Sequence, residues 1–464
     1  MSFSPQTKYA VHIVTLLLWV TTFQYFSGSI AYNSSNGPEA IDPVTKYGYT
    51  ITTLLYIVKF MSLLVLPQVL FNIAGMVSYN SFTDVVKLNA APLLAPFVCF
   101  RVVTKGMYPD LVKENIVKNL KTCYDAGLEN FMFEVVTDNA IHLQTLTRCR
   151  EVVVPTSYRT KSGAKYKARA LQYCLEEDVN MLQDENYIVH LDEETLLTEN
   201  CVRGIVNFMV DGKYDFGQGV ITYANGEIVN WITTLCDCFR VADDMGKLRF
   251  QLSYLHSPIF GWKGSYVVTK YVASERKVTY DHGVEGSIAE DCFFSMVAIR
   301  DNFTFDFIEG DMMEKSPFNF WDLLQQRKRW LQGIYLTVHS SQIPWKTKMW
   351  LGLSLYAWIT MPITSFNLLL CPLLPVPTFF LFDFLVTLIG SVNLYMYVYG
   401  ASKSFSSRYR GSNYKIFIYI ISAIAVLPFN IIIENMASLM GTFASKDEFY
   451  VVKKDVIKLP IDMV

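Results

Sequence analysis

The chain has 464 residues, of which 52% are hydrophobic, 15% aromatic and only 18% charged, a mixture too apolar for an ordinary soluble enzyme of this length. A net charge of -2 excludes the strong basic excess of a dedicated nucleic-acid binder, so no nucleic-acid partner is expected. Asp and Glu collect in the middle while both flanks are nearly bare of them, which predicts a water-facing central domain between lipid-facing ends.

Two apolar stretches open the chain, residues 9 to 30 and 50 to 74, each about as long as a bilayer-spanning helix. The first has a thin basic start, lacks a clear small-residue cleavage site and is followed by a second span, so both are read as retained anchors and not as a signal peptide. Lys59, inside the second, is explained by snorkelling or by a polar helix contact. Three further stretches, 349 to 370, 376 to 399 and 414 to 440, follow the central domain. The connector 400 to 415 carries Lys403, Arg408, Arg410 and Lys415 with no acidic residue, which makes it cytoplasmic by the positive-inside rule. Counting spans back puts the central domain on the same side, with Lys346 and Lys348 at the membrane edge. The loop 31 to 49, with Glu39, Asp42 and the sequon Asn33-Ser34-Ser35, falls on the far side. The sequon at Asn302-Phe303-Thr304 lies in the cytoplasmic part and is discounted. Nine cysteines without a repeated C-x-x-C pair predict reduced thiols, in keeping with a cytosol-facing domain. The expected organisation is two transmembrane helices in 1–85, a cytosolic domain in 86–345, and three transmembrane helices with a tail in 346–464.

Between the flanks, short β-rich runs alternate with amphipathic helical patterns, the signature of an α/β layer with a mostly parallel sheet. Strands are predicted at 96–104, 130–137, 151–155 and 186–191, with helices over YPDLVKENIVKNLKTCYDAG and KYKARALQYCLEE. Ligands of open α/β sheets collect at the carboxyl ends of strands. Asp138 directly follows the second strand, and HLDEET puts Asp192, Glu193 and Glu194 at the tip of the fourth.

In an extended turn alternate residues project the same way, so Asp192 and Glu194 could share one divalent cation while Glu193 points elsewhere. Such hard oxygen ligands suit magnesium or manganese, with phosphate oxygens and water completing the shell. A solvated acidic turn or a helix N-cap would look the same. Glu290 and Asp291 precede an apolar helical pattern, where carboxylates favour a helix start; the Gly-rich approach TYDHGVEGS also suits a substrate-facing loop with a general base. In LLQQRKRWLQG, Gln326 and Arg329 or Trp330 share a helix face, presenting an amide, a guanidinium and an indole together. Arginine fits a pyrophosphate and tryptophan a sugar or lipid wall, while a basic amphipathic helix on anionic headgroups uses the same residues.

The ordered set Asp138, then D-E-E at 192 to 194, then E-D at 290 to 291, then Q-R-K-R-W at 326 to 330 resembles the inverting family 2 glycosyltransferases, whose pattern is D, D-x-D, E-D and Q-x-x-R-W on a GT-A fold. The resemblance covers residues 90 to 345, and the flanking spans match the membrane-bound members. The runs AGLENFMFEVVTD, GAKYKARALQYCLE, FGWKGSYVV and EGSIAEDCFF look most like the egghead-type β-1,4-mannosyltransferases of invertebrates, which transfer mannose from GDP-mannose to glucosylceramide. The resemblance implies that Asp138 holds the nucleotide, that Lys167 lies near the diphosphate, and that Asp192 and Glu194 stand for the metal-binding D-x-D, with glutamate replacing its second aspartate. It implies that Asp291, beside Glu290, is the base, that Gln326, Arg329 and Trp330 serve leaving group and acceptor, and that Trp262 and Lys263 of GWKGS lie on the acceptor side. It also implies a Mn2+ or Mg2+ cofactor, membrane-lipid contacts, and a Golgi or endoplasmic reticulum membrane with the catalytic domain facing the cytosol.

Three other functions share some of these features. A processive polysaccharide synthase has the same motifs, but five spans leave little material for a polymer channel. A UDP-sugar-dependent ceramide or lipid glycosyltransferase is not separable by motif. A transporter would place ionisable or Gly/Pro-broken residues within its spans, for which Lys59, Asp383 and Glu434 are the candidates.

Overall fold

A computed structural model describes residues 4–28, 42–143, 146–224, 227–406, 408–409, 412–446, 449–452 and 454. Arg410, Glu39 and the Asn33-Ser34-Ser35 sequon lie outside the described residues.

The N-terminal flank folds as α1 (Pro5–Phe26), a short α2 (Pro43–Tyr47), α3 (Tyr49–Met61) and α4 (Leu66–Ser78), the last two joined by a 3-10 turn. The central region runs β1 (Val98–Thr104), α5 (Pro109–Asp125), β2 (Phe131–Thr137), β3 (Cys149–Val153), α6 (Tyr166–Tyr173), β4 (Tyr187–Asp192), α7 (Glu199–Asp211) and β5 (Phe216–Thr222). It continues with α8 (Trp231–Asp243), a π-helical turn (Asp244–Leu248), α9 (Arg249–Ser253), β6 (Val267–Thr269), α10 (Val272–Val278), α11 (Glu290–Arg300), β7 (Phe305–Met313) and α12 (Phe320–His339). The C-terminal flank is α13 (Trp345–Ile359), α14 (Met361–Leu373), α15 (Phe380–Ser406) and α16 (Asn413–Phe443).

Among the described residues, four helices are long and apolar enough to cross a membrane: Pro5–Phe26, the continuous Tyr49–Ser78, Phe380–Ser406 and Asn413–Phe443. The fifth stretch, expected at 349 to 370, is instead divided into α13 and α14 at Thr360, ahead of Pro362, whose ring and missing N–H favour a new first turn over continuation of the old helix. Lys59 donates to the Val376 carbonyl at 2.9 Å, in the loop between α14 and α15 and not on a neighbouring helix.

The seven strands form one sheet in the order β3-β2-β1-β4-β6-β5-β7, parallel except for β6, which is antiparallel to both neighbours. This is the α/β, mostly parallel GT-A arrangement. The β-branched runs of β1, β2 and β4 are buried because helices cover both faces, with Phe100 stacked on Phe133 in the core at 5.0 Å between ring centroids. Register decides what the sheet presents: Thr104 pairs with Thr137 and Val103 with Asp192, so Asp138 and the Asp192 turn emerge at one edge.

Candidate active site

A cleft of about 440 Å³ opens at that edge, lined by all the candidate catalytic, nucleotide-binding, acceptor-binding and metal-binding side chains named above. Asp138, just past β2, accepts a hydrogen bond from Arg169 of α6. Lys167, at the start of the same helix, donates to Asp192 Oδ1 at 2.6 Å and to the Gly264 carbonyl at 3.1 Å, and lies 3.5 Å from Glu290 Oε1. Burial opposes ionisation of Asp192, but the Lys167 ammonium overrides it and holds the carboxyl below the usual range. A Cβ on Gly264 would meet both Asp291 Oδ2 and Lys167 Nζ at 3.2 Å, so only glycine lets this loop close on the charged cluster without displacing it.

The acidic turn is pinned from beneath. Asn115 and Asn119, one turn apart on α5, donate to the carbonyls of Glu193 and Thr195, both at 2.9 Å. Thr195 N–H bonds back to the Asp192 carbonyl at 3.0 Å, closing the expected turn tightly. Glu193 does not point elsewhere: it joins Glu194 on the ammonium of Lys454, from the C-terminal tail, and accepts from Thr104 as well. Among the described residues no three His, Cys, Asp or Glu side chains converge on one point as a metal cage. The donor set nevertheless suits a hard cation that keeps phosphate and water ligands: Asp192 and Glu194 are the two carboxylates to hand, and Lys454 already shows that this corner draws a positive charge.

Glu290 and Asp291 begin α11, whose N-cap Ala289 makes no side-chain cap, so both carboxylates sit at the positive end of the helix. Burial, then the adjacent Glu290 charge, pushes the Asp291 carboxyl up to about 7, the range of a group that accepts a proton at neutral pH. Trp262 is largely buried against Phe216 and Phe305 and donates its indole N–H to the Asp291 carbonyl at 3.0 Å. Lys263 pairs with Asp244 of the π-helical turn, and burial leaves the lysine lowered and the aspartate raised. Asn72 of α4 caps that turn, accepting from Lys247 N–H at 2.7 Å, which satisfies a donor displaced by the wide turn.

From α12, Gln326, Arg329 and Trp330 close the cleft opposite the strands. Arg329 lies 4.4 Å over the Phe449 ring, which in turn stacks on Tyr166 at 4.8 Å. The Trp330 indole meets the Arg240 guanidinium at 4.3 Å. Sequence reading missed Arg240, Asp244 and Glu314, which carry no motif, and the tail from Phe449 to Lys454. Glu314 accepts from the Thr195 hydroxyl at 2.7 Å, and burial, then Asp192 and Glu194, push it up to about 7.

Aspartates at the carboxyl edge of a GT-A sheet, a buried acid and a facing Arg-Trp helix define a family 2 glycosyltransferase. Residues 187–402 match the family described as Glycosyl transferase family group 2. The chain is 62% identical over 451 residues to the β-1,4-mannosyltransferase bre-3 of Caenorhabditis briggsae, covering 97% of this chain and 99% of that protein. It is 55% identical over 450 residues to the β-1,4-mannosyltransferase egh of Drosophila melanogaster, covering 97% and 98%. Among solved structures it resembles a mannosyltransferase from Pyrobaculum calidifontis, crystallised with GDP-Man and Mn2+, at 15% identity and a TM-score of 0.47 over 82% of this chain and 98% of that one. The chain belongs to the bre-3 and egh family of β-1,4-mannosyltransferases.

Proposed function

We propose that this enzyme transfers mannose from GDP-mannose to glucosylceramide, forming a β-1,4 linkage at the cytosolic face of a Golgi or endoplasmic reticulum membrane. Residues 86–345 are the cytosolic catalytic domain, 1–85 and 346–464 its membrane-embedded flanks. One observation carries the reading: Asp291, a half-buried acid beside the buried Glu290 and pushed up to about 7, shares its cleft with the Lys167–Asp192 pair. An acid of that strength is matched to deprotonating a sugar hydroxyl, and a cation-lined neighbour is matched to a diphosphate.

In this scheme Asp138 binds the nucleotide and Lys167 the diphosphate. Asp192 and Glu194 would hold a divalent cation, Mn2+ or Mg2+, which would supply charge neutralisation for a diphosphate. Asp291, with Glu290 raising its basicity, takes the proton of the acceptor hydroxyl. That oxygen attacks the anomeric carbon opposite the diphosphate, and an α-linked donor becomes a β-glycoside. Gln326 orients the donor and Arg329 receives the diphosphate charge. Trp330 provides the flat wall for the acceptor sugar, with Trp262 and Lys263 behind it. A lipid acceptor is supported by the cleft's membrane side, where Trp358 of α13 joins the lining and Trp321 and Trp345 stand exposed at the starts of α12 and α13, as interfacial aromatics do.

The test is transfer by the purified, detergent-solubilised full chain from radiolabelled GDP-mannose to glucosylceramide, with UDP-glucose plus ceramide in parallel and EDTA as control. A mannosylated lipid that disappears with EDTA is expected. Glucosylated ceramide with no mannosylated product would overturn the donor and acceptor while leaving the site intact. Asp291→Asn should reduce turnover by about a hundredfold to ten-thousandfold.

A further inference from the structure

Two features of the sequence have no part in this scheme: Arg327, between the motif positions Gln326 and Arg329, and Glu434, an ionisable residue on the 31-residue apolar helix α16. The fold joins them. Arg327 is 3% exposed and uses all three nitrogens: Nε donates to Glu434 Oε1 at 2.9 Å, one terminal nitrogen to Asp237 Oδ1 of α8 at 2.6 Å, and the other to Gln326 Oε1 at 3.2 Å. Its guanidinium carbon lies 4.4 Å from the Trp330 ring centroid. Asp237, fully buried, also lies 3.5 Å from Arg240, the other guanidinium on that indole. Burial opposes ionisation of Asp237, yet the two arginines hold its carboxyl below the usual range.

We infer that Arg327 is a positioning residue for the acceptor wall: braced by Asp237 and Glu434, it fixes the Trp330 indole and ties its orientation to membrane helix α16. A guanidinium is suited to this because its planar fork satisfies several acceptors while its face stays on the ring, which an ammonium cannot do. A hexose stacks its C–H face on an indole of defined orientation, so a loosened indole weakens acceptor binding before it affects the donor. The inference rests on the proposed role of Trp330.

The experiment measures initial rates of the full chain in detergent, varying glucosylceramide at saturating GDP-mannose and then the reverse, for Trp330→Ala, Arg327→Lys, Glu434→Gln and Glu434→Asp. Arg327→Lys and Glu434→Gln should raise the acceptor KM roughly fivefold to twentyfold, the scale of a lost cation–π contact. In Glu434→Gln, which leaves Arg327 in place to bond Gln326, the GDP-mannose KM should stay within about twofold, as uniform loss of acceptor binding requires. Glu434→Asp should recover part of the loss. Glu434→Gln removes charge at the less buried partner, so it reports even where an Arg327 variant fails to fold. If Trp330→Ala raises the acceptor KM but both other substitutions leave it unchanged, the positioning role is overturned and the acceptor wall stands. Equal loss of donor and acceptor parameters together with a lower melting temperature would also overturn it, as a general packing defect. If Trp330→Ala itself leaves the acceptor KM unchanged, the wall and the inference fall together, while donor transfer through Asp291 is untouched.

Discussion

Lys167 of α6 donates to Asp192 Oδ1 at 2.6 Å and lies 3.5 Å from Glu290 Oε1, so one ammonium joins the acid that ends β4 to the acid that begins α11. Removing it takes away the counter-charge in direct contact with both carboxylates and leaves Asp192 only the more distant Lys454 and Arg329. Lys167→Met should weaken GDP binding by at least about tenfold, read by calorimetric titration, with partial recovery in Lys167→Arg, which keeps the charge. Unchanged GDP affinity in Lys167→Met would separate this lysine from the diphosphate.

The pH dependence follows from Asp291. In the proposed scheme Asp291 must be ionised to act as the base, and with its carboxyl pushed up to about 7, kcat/KM should rise with pH and level off above neutrality. Glu290→Gln removes the like charge and should move the rising limb to lower pH; Lys167→Met removes an opposite charge and should move it to higher pH. The sign for stability is the reverse of that for activity. The fold favours the protonated acid, so its stabilising contribution is present at low pH and is lost as pH rises through about 7. A pH–rate profile indifferent to both substitutions would remove Asp291 as the titrating base.

Lys454 bonds to both Glu193 and Glu194, taking the position at those carboxylates that a metal cation would contest. Lys454→Gln should therefore tighten binding of Mn2+ to the nucleotide-free protein, by roughly tenfold if one opposing charge near the site is removed. Electron paramagnetic resonance of free against bound Mn2+ reads this without turnover. Weaker binding in the variant would mean that the tail helps to build the cation site.

Gly333 lies one turn beyond Arg329 on α12, and a Cβ there would come 2.3 Å from the Ala289 Cβ, immediately before Glu290. This contact sets the spacing between the Arg-Trp helix and the acid pair. Gly333→Val must separate them, which should cost about 1–3 kcal/mol of stability and lower turnover at saturating substrates. Thermal unfolding and kcat of the same preparation provide the check; a stable variant with full turnover would show that the spacing is not critical.

Much of the central sheet is legible in the order of amino acids alone. The strands at 98–104, 131–137 and 187–192 lie within two residues of expectation, because buried parallel strands read as runs rich in β-branched residues. The apolar flanks are equally plain. The exception is the stretch at 349 to 370, where composition signals a span and the backbone at Thr360-Met361-Pro362 divides it. The antiparallel insertion of β6 between β4 and β5 is not readable in this way, since a three-residue strand leaves too short a pattern.

Periodicity and punctuation along the chain are local, and they set the elements and the residue types at their ends; local order is enough to bring Asp138 and Asp192 out at strand tips. The pairing of distant charges is fixed by packing instead. Lys454 reaches Glu194 across 260 residues, Arg327 reaches Glu434 across 107, and Lys167 reaches Asp192 across 25. A buried charge must find its counterpart wherever the packed helices and strands deliver one, and no spacing along the chain records which partner that will be.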